Sequence, residues 1–225
     1  MKCPLLTTAA STIVFGLLLS LVLGKWTPLL AVDDGARDAL HRYTAENPAF
    51  ATAMKTLSTI GSARVYLTAF ALVAARLLYR HRPRQAVFVV VTVVGSALLN
   101  VLVKRAVQRA RPMVSDPLIT APGLSFPSGH AQSAVVTYAT LLVVFWPAMR
   151  SAWRRIATVA AAAMVLGIGL SRVALAVHYV SDVLAGYVLG AAWLVATIAI
   201  FDLRRSGSRD GHTSGWPSRR RSTGR

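Results

Sequence analysis

An all-α bundle of six membrane-crossing helices is the fold that this 225-residue sequence predicts, and three observations predict it. Residues are 55% hydrophobic, with a mean hydropathy of +0.53. The apolar residues collect in runs at about 5–24, 57–79, 86–103, 130–149, 156–171 and 178–201, each close to the roughly 20 residues that a bilayer-spanning helix needs. Those runs are too long for barrel strands and lack strict alternation of apolar and polar residues.

The formal net charge of +17 and a pI near 11.5 would suggest a nucleic-acid partner for a soluble chain. Spans separated by basic loops account for both the charge and the hydropathy, so the expected partner is the lipid bilayer, with no nucleic acid. The single cysteine, Cys3, excludes an intrachain disulfide and a Cys-based metal cluster. It stands too near the start to follow a signal-peptide apolar region, so no lipoprotein anchor is expected. The first run, preceded by Lys2, reads as a retained helix rather than a cleaved signal, because it is long and the cleavage context near Ala31 is weak.

With the N-terminus in the cytoplasm, fifteen of the twenty-five Lys and Arg residues fall on inner segments, among them Arg76, Arg80, Arg82, Arg84, Arg150, Arg154 and Arg155. The positive-inside rule then places both termini in the cytoplasm. The first 203 residues form one membrane domain, and residues 204–225, rich in Arg, Ser and Gly, read as a basic, disordered cytoplasmic tail able to touch anionic head groups. Residues 25–56 form an outer connection, whose stretch from Val32 to Lys55 fits either an amphipathic helix on the membrane surface or a solvated loop. Arg64, inside the second run, sits near a boundary or faces the bundle. The sequence does not disclose an oligomeric state.

Polar residues concentrate at the outer ends of spans three to six, in three clusters. The first is KRAVQRARP, carrying Lys104, Arg111 and Pro112; the second is Pro127, Ser128, Gly129 and His130; the third is SRVALAVHYVSD, carrying Arg172, His178 and Asp182. His178 and Asp182 are four apart and would share one face of a helix. A carboxylate there can hold one imidazole nitrogen and leave the other free to attack; a solvent-facing pair that merely ends span six has the same spacing.

The surrounding cations separate the two readings. Lys104, Arg111 and Arg172 on one face call for an anion, and phosphate suits both the forked guanidinium and the point-charge ammonium. Snorkelling to the interface explains one such cluster and explains three poorly. Ser128 and Gly129 stand where a helix begins, and its unpaired N–H groups make an anion site there. His130 follows as a group able to protonate a leaving alkoxide and then activate water. Alone, the four residues Pro127–His130 also read as a capped turn.

Together the three clusters resemble the signature of the type 2 phosphatidic acid phosphatase (PAP2) superfamily, KxxxxxxRP, PSGH and SRxxxxxHxxxD, at every specified position and in order, across residues 104–182. The resemblance implies a membrane lipid phosphatase that works without a metal or other cofactor. His178 would be the nucleophile that forms a phosphohistidine, Asp182 would orient it, and His130 would protonate the departing oxygen. Lys104, Arg111, Arg172, Ser128 and the Gly129 N–H would clamp the phosphate. Beside the histidines the sequence shows no carboxylate cluster of the kind that holds a divalent ion. Isoprenyl diphosphate, phosphatidic acid and phosphatidylglycerol phosphate are all substrates of the implied class, and the expected outer position of the site favours the first. Vanadium haloperoxidases resemble the same signature but are soluble, against six spans here. A phosphate-lipid binding or transport protein would not need a nucleophile, an orienter and an acid together.

Overall fold

The computed structural model describes residues 2–210, with side chains described for 8–202. It is all helical, without a strand among the described residues: α1 Lys2–Leu23, α2 Thr27–Glu46, α3 Pro48–Ile60, α4 Ala63–Tyr79, α5 Pro83–Val107, α6 Gly129–Phe145, α7 Ser151–Ala174 and α8 Val180–Asp210, with a 3₁₀ turn at Trp146–Ala148. The expected basic tail begins within α8, and its part from 211 to 225 lies outside the described residues.

Four segments are individually long and apolar enough to cross a bilayer: Pro83–Val107, Gly129–Ala148, Ser151–Ala174 and Val180–Asp202. Two further crossings are reached only if bent pairs count as single spans. Thr8–Leu23 and Thr27–Glu46 meet at 89°, and Pro48–Ile60 and Ala63–Tyr79 at 44°. The chain therefore has four to six spans. The expected second span, 57–79, is broken: Gly61 caps α3 after Ile60 and the chain restarts at Ala63, which leaves Arg64 exposed in the first turn of α4.

The segment 25–56, whose form the sequence left open, is helical. The 89° turn after Leu23 sets α2 across the line of α1. Pro48 starts α3, where its missing N–H removes no helical hydrogen bond. The mean hydropathy of α2 is too low to belong in lipid, and its buried residues are Asp33 and Thr44. Those two polar groups are satisfied within the protein, Thr44 by the Leu40 carbonyl and Asp33 by residues of the site described below.

Helix α8 runs between α1 and α6, α7 packs on α3 and α6, and α4 packs on α5. The approach of α6 to α8 is close enough to require glycine. A Cβ at Gly186 would lie 2.6 Å from the Ser128 carbonyl, and one at Gly190 2.9 Å from that of Gln132. An apolar core of Phe70, Leu77, Phe88, Val89, Val93, Val144 and Leu194 fills one part of the bundle. Outside, Leu72, Leu98, Leu102, Val159 and Leu166 are exposed, a surface that suits lipid rather than water. The ends of α3, α5 and α7 and the starts of α6 and α8 come together at one end of the bundle, joined there by the 108–128 loop, and this is where the three sequence clusters meet.

Candidate active site

Each cluster is held by local backbone chemistry. Helix α5 stops at Gln108, whose left-handed φ of 54° closes the last turn on the Lys104 carbonyl. The Lys104 ammonium donates to the carbonyls of Leu124 (2.6 Å) and Ser125 (3.1 Å), which ties the far side of the loop to α5. Helix α6 begins at Gly129 with Ser128 as N-cap, its hydroxyl accepting from the Ala131 N–H at 3.5 Å. The Ser128 N–H donates to the Asp182 carbonyl at 2.9 Å and so joins the starts of α6 and α8.

After α7 the chain reverses through Ala176, at a φ of 52°, and the N–H groups of Val177 and His178 both donate to the Arg172 carbonyl. His178 consequently lies in the turn before α8. This corrects the expectation that His178 and Asp182 share a helix face. Asp182 is in the first turn of α8 and reaches back past its N-terminus, where its Oδ2 accepts the Tyr179 N–H at 3.0 Å. The carboxylate thereby satisfies an unpaired helix donor and sits at the positive end of the helix dipole.

The pair still meets. His178 Nδ1 is 3.4 Å from Asp182 Oδ2, long for a hydrogen bond, and the Ser125 hydroxyl bridges the gap, 3.3 Å from Nδ1 and donating to Oδ2 at 2.5 Å. The opposite nitrogen, Nε2, is 3.1 Å from Arg111 Nη1. Arg111 is itself anchored, Nη1 donating to the Val177 carbonyl at 2.7 Å and Nε to that of Gly123 at 3.1 Å. Burial drives the His178 imidazole down to about 4, Arg111 and Arg172 push the same way, and Asp182 opposes them. The ring is thus neutral near pH 7, and a proton on Nδ1 facing Asp182 leaves the Nε2 lone pair beside the Arg111 guanidinium.

Arg172, in the last turn of α7, is buried and donates through Nη1 to the Ser58 hydroxyl at the end of α3, while its buried Nε has no hydrogen-bond partner among the described residues. His130 lines a cavity of about 220 Å³ between α4, α5 and α6, together with Tyr66, Phe70, Ala97 and Val136. Its polar wall is a bonded set in which Asn100 donates to Gln132 at 2.7 Å and Gln132 donates to the Ser96 hydroxyl at 2.8 Å.

The structure thus gathers Lys104, Arg111, Ser128, Gly129, Arg172, His178 and Asp182 at one end of the bundle, with His130 on α6 beside the cavity. Sequence reasoning missed Ser125, Ser58, Arg109 and Asp33. Arg109 Nη1 donates to Asp182 Oδ1 at 2.7 Å and its Nη2 to Asp33 Oδ2 at 2.8 Å. Burial alone would lower the Arg109 guanidinium, but the two carboxylates outweigh it and raise it. Arg109 lies within KRAVQRARP, where its alternation with Arg111 was the available signal; the other three carry none.

Residues 85–206 match the model of the PAP2 superfamily, and the chain belongs to that family. It is a multi-pass membrane phosphatase, a phosphoric ester hydrolase. Over 140 residues, 61% of this chain and 68% of the relative, it is 30% identical to phosphatidylglycerophosphatase B of Bacillus subtilis. It is 36% identical over 119 residues to a lipid A 1-phosphatase of Rhizobium johnstonii, covering 49% of this chain and 45% of that one, so it spans less than half the length of that relative. The fold matches a crystal structure of a transmembrane PAP2 type phosphatidylglycerolphosphate phosphatase from Bacillus subtilis with a TM-score of 0.78 at 24% identity, over 88% of this chain and 96% of that one.

The imidazole of His178 is predicted to stay neutral on lowering the pH to about 5, since a group depressed to about 4 takes up its proton only near that value. Nitrogen-15 histidine spectra of the detergent-solubilised protein, assigned with His178→Asn, check this. An imidazolium signal for His178 at pH 6.5 would contradict it.

Proposed function

We propose that the site transfers the phosphoryl group of a lipid phosphate to His178 Nε2 and then to water. The observation that carries the reading is the polarity of the His178 ring: Nδ1 is turned to Asp182 and Ser125, and Nε2 to the cation Arg111. In the first step a P–N bond forms at Nε2 while the ester P–O bond breaks, and His130 gives its proton to the departing alkoxide, or to the departing phosphate of a diphosphate. Asp182 stabilises the positive ring that results. In the second step His130 takes a proton from water, the water oxygen bonds to phosphorus, the P–N bond breaks, and free phosphate and the neutral ring are regenerated.

Arg111, Arg172 and Lys104 stabilise the charge on the equatorial oxygens, together with the N–H groups at the start of α6 and the Ser128 hydroxyl. Arg172 Nε, without a partner among the described residues, supports this assignment, because a phosphate oxygen would satisfy that buried donor. Lys104 keeps two of its donors on the loop, so it both shapes the clamp and adds charge to it.

The leaving group is a lipid on two grounds. His130 opens on a cavity walled by Tyr66, Phe70, Val93 and Val136, which suits an apolar chain. The relatives are a phosphatidylglycerophosphatase and a lipid A 1-phosphatase, and both names specify a phosphorylated lipid. Phosphatidylglycerol phosphate, phosphatidic acid and isoprenyl diphosphate all fit this chemistry. Counting α1 as one crossing and the bent pair α3–α4 as another gives six spans, with α2 lying on the outer surface. Arg76, Arg80, Arg82, Arg84, Arg150, Arg154 and Arg155 then fall at the end away from the site, which supports a site on the outer face with both termini in the cytoplasm.

Purified protein is expected to release phosphate from a panel of these lipids with chelator present, and His178→Ala is expected to reduce the rate on the order of a thousandfold or more. Full activity in that variant would sink the mechanism. For the orientation, Met113 in the site-end loop is 91% exposed. Met113→Cys in a Cys3→Ser background should react with a membrane-impermeant maleimide added to intact cells; labelling only after lysis would invert the topology.

A further inference from the structure

Asp33 is a carboxylate on α2, 1% exposed, outside the segment that carries the family match. Its carboxylate reaches Ser181 at the start of α8 and Arg109 in the loop after α5. Its Oδ1 accepts the Ser181 N–H at 2.9 Å, and its Oδ2 accepts the Ser181 hydroxyl at 2.5 Å and Arg109 Nη2 at 2.8 Å. Arg109 is held on its other side by Asp182 Oδ1 and the Ser181 hydroxyl, each at 2.7 Å, and its guanidinium lies 4.2 Å over the Tyr179 ring.

The two oxygens of Asp182 are thereby divided. Oδ1 is occupied by Arg109, and Oδ2 takes the Tyr179 N–H and the Ser125 hydroxyl and faces the His178 ring. If Arg109 were free to swing, the carboxylate would be held from its Oδ2 side alone and its grip on the imidazole orientation would loosen. Asp33 prevents that swing by forming the second half of a guanidinium fork. The same residues that place Arg109 also fasten α2 over the site.

We propose that Arg109 and Asp33 are positioning residues of the phosphatase reaction: Arg109 fixes the carboxylate of Asp182 so that Oδ2 orients His178, and Asp33, from α2, fixes Arg109. This rests on the phosphatase reading above and adds to it a segment, Thr27–Glu46, that none of the three signature clusters includes. The alternative is a brace that joins α2 to α8 and affects only folding.

A double-mutant cycle separates the two, using phosphate release from phosphatidic acid in mixed micelles by the full-length protein. Arg109→Gln is expected to lower kcat on the order of 10- to 100-fold with KM little changed, the size of loss that misplacing a reacting group produces. In an Asp182→Asn background the same change should cost almost nothing further, and Arg109→Lys, which restores one donor, should recover part of kcat. Asp33→Asn should lower kcat in the wild-type background and have little effect in Arg109→Gln.

Additive losses from Arg109→Gln and Asp182→Asn would overturn the proposal. So would a raised KM with kcat intact, which would make Arg109 a phosphate contact. Unchanged kcat with a lower thermal midpoint would leave only the brace. If Arg109→Gln does not fold, the Asp33→Asn and Asp182→Asn cycle separates the same outcomes through isosteric changes. A wild-type protein inactive on every lipid phosphate would instead remove the phosphatase reading, and the inference with it.

Discussion

Asp182 is the group on which the rest of the site depends. A fully buried carboxylate in a lipid-embedded bundle is tolerable only if its charge and lone pairs are matched, since an unpaired ion there costs several kcal/mol. The match comes from four directions: the Tyr179 N–H at the start of its own helix, the Ser125 hydroxyl, the Arg109 guanidinium and the His178 ring. Its backbone carbonyl also takes the Ser128 N–H. Satisfying this one anion pins together the 108–128 loop, the start of α6 and the turn between α7 and α8. Those are the elements that carry Arg111, His130 and His178.

Burial also dictates where charge is allowed. Along the spans Ser96, Asn100 and Gln132 bond to one another and Thr92 to a helix carbonyl, while the exposed surface is rich in Leu and Val. At the site end, three cations stand within one cluster whose matching carboxylates, among the described residues, are Asp33 and Asp182. Both of those are engaged by Arg109, so Lys104, Arg111 and Arg172 turn to carbonyl and hydroxyl acceptors instead. An imbalance of that kind is stabilised by binding an anion and is costly for any other purpose.

Much of this was legible in the sequence wherever the cause was local. The helix start at Gly129 follows from a capping serine, and the apolar runs located the spans Pro83–Val107, Gly129–Ala148, Ser151–Ala174 and Val180–Asp202 to within a few residues. The His178–Asp182 spacing was read as a helical face and proved to be a helix-start arrangement, because the glutamate-like reach of a third-position carboxylate gives the same separation in sequence. Asp33 was not legible. Its partners are 76 and 148 residues away, and nothing nearby distinguishes it from the exposed Asp34 beside it. The two bent helix pairs were also hidden, since hydropathy reports how apolar a segment is and not the direction in which it runs.

The mechanism requires a covalent phosphoryl group on His178 Nε2, and trapping that group is the most direct measurement. His130→Ala, which lacks the base for the second step, should accumulate radiolabelled protein from an isoprenyl diphosphate labelled in its terminal phosphate, whose phosphate leaving group departs with little help from an acid. The label should be lost in acid, persist in alkali, and map to the peptide carrying His178. An acid-stable label on a hydroxyl side chain, or label on any peptide without His178, would contradict the mechanism.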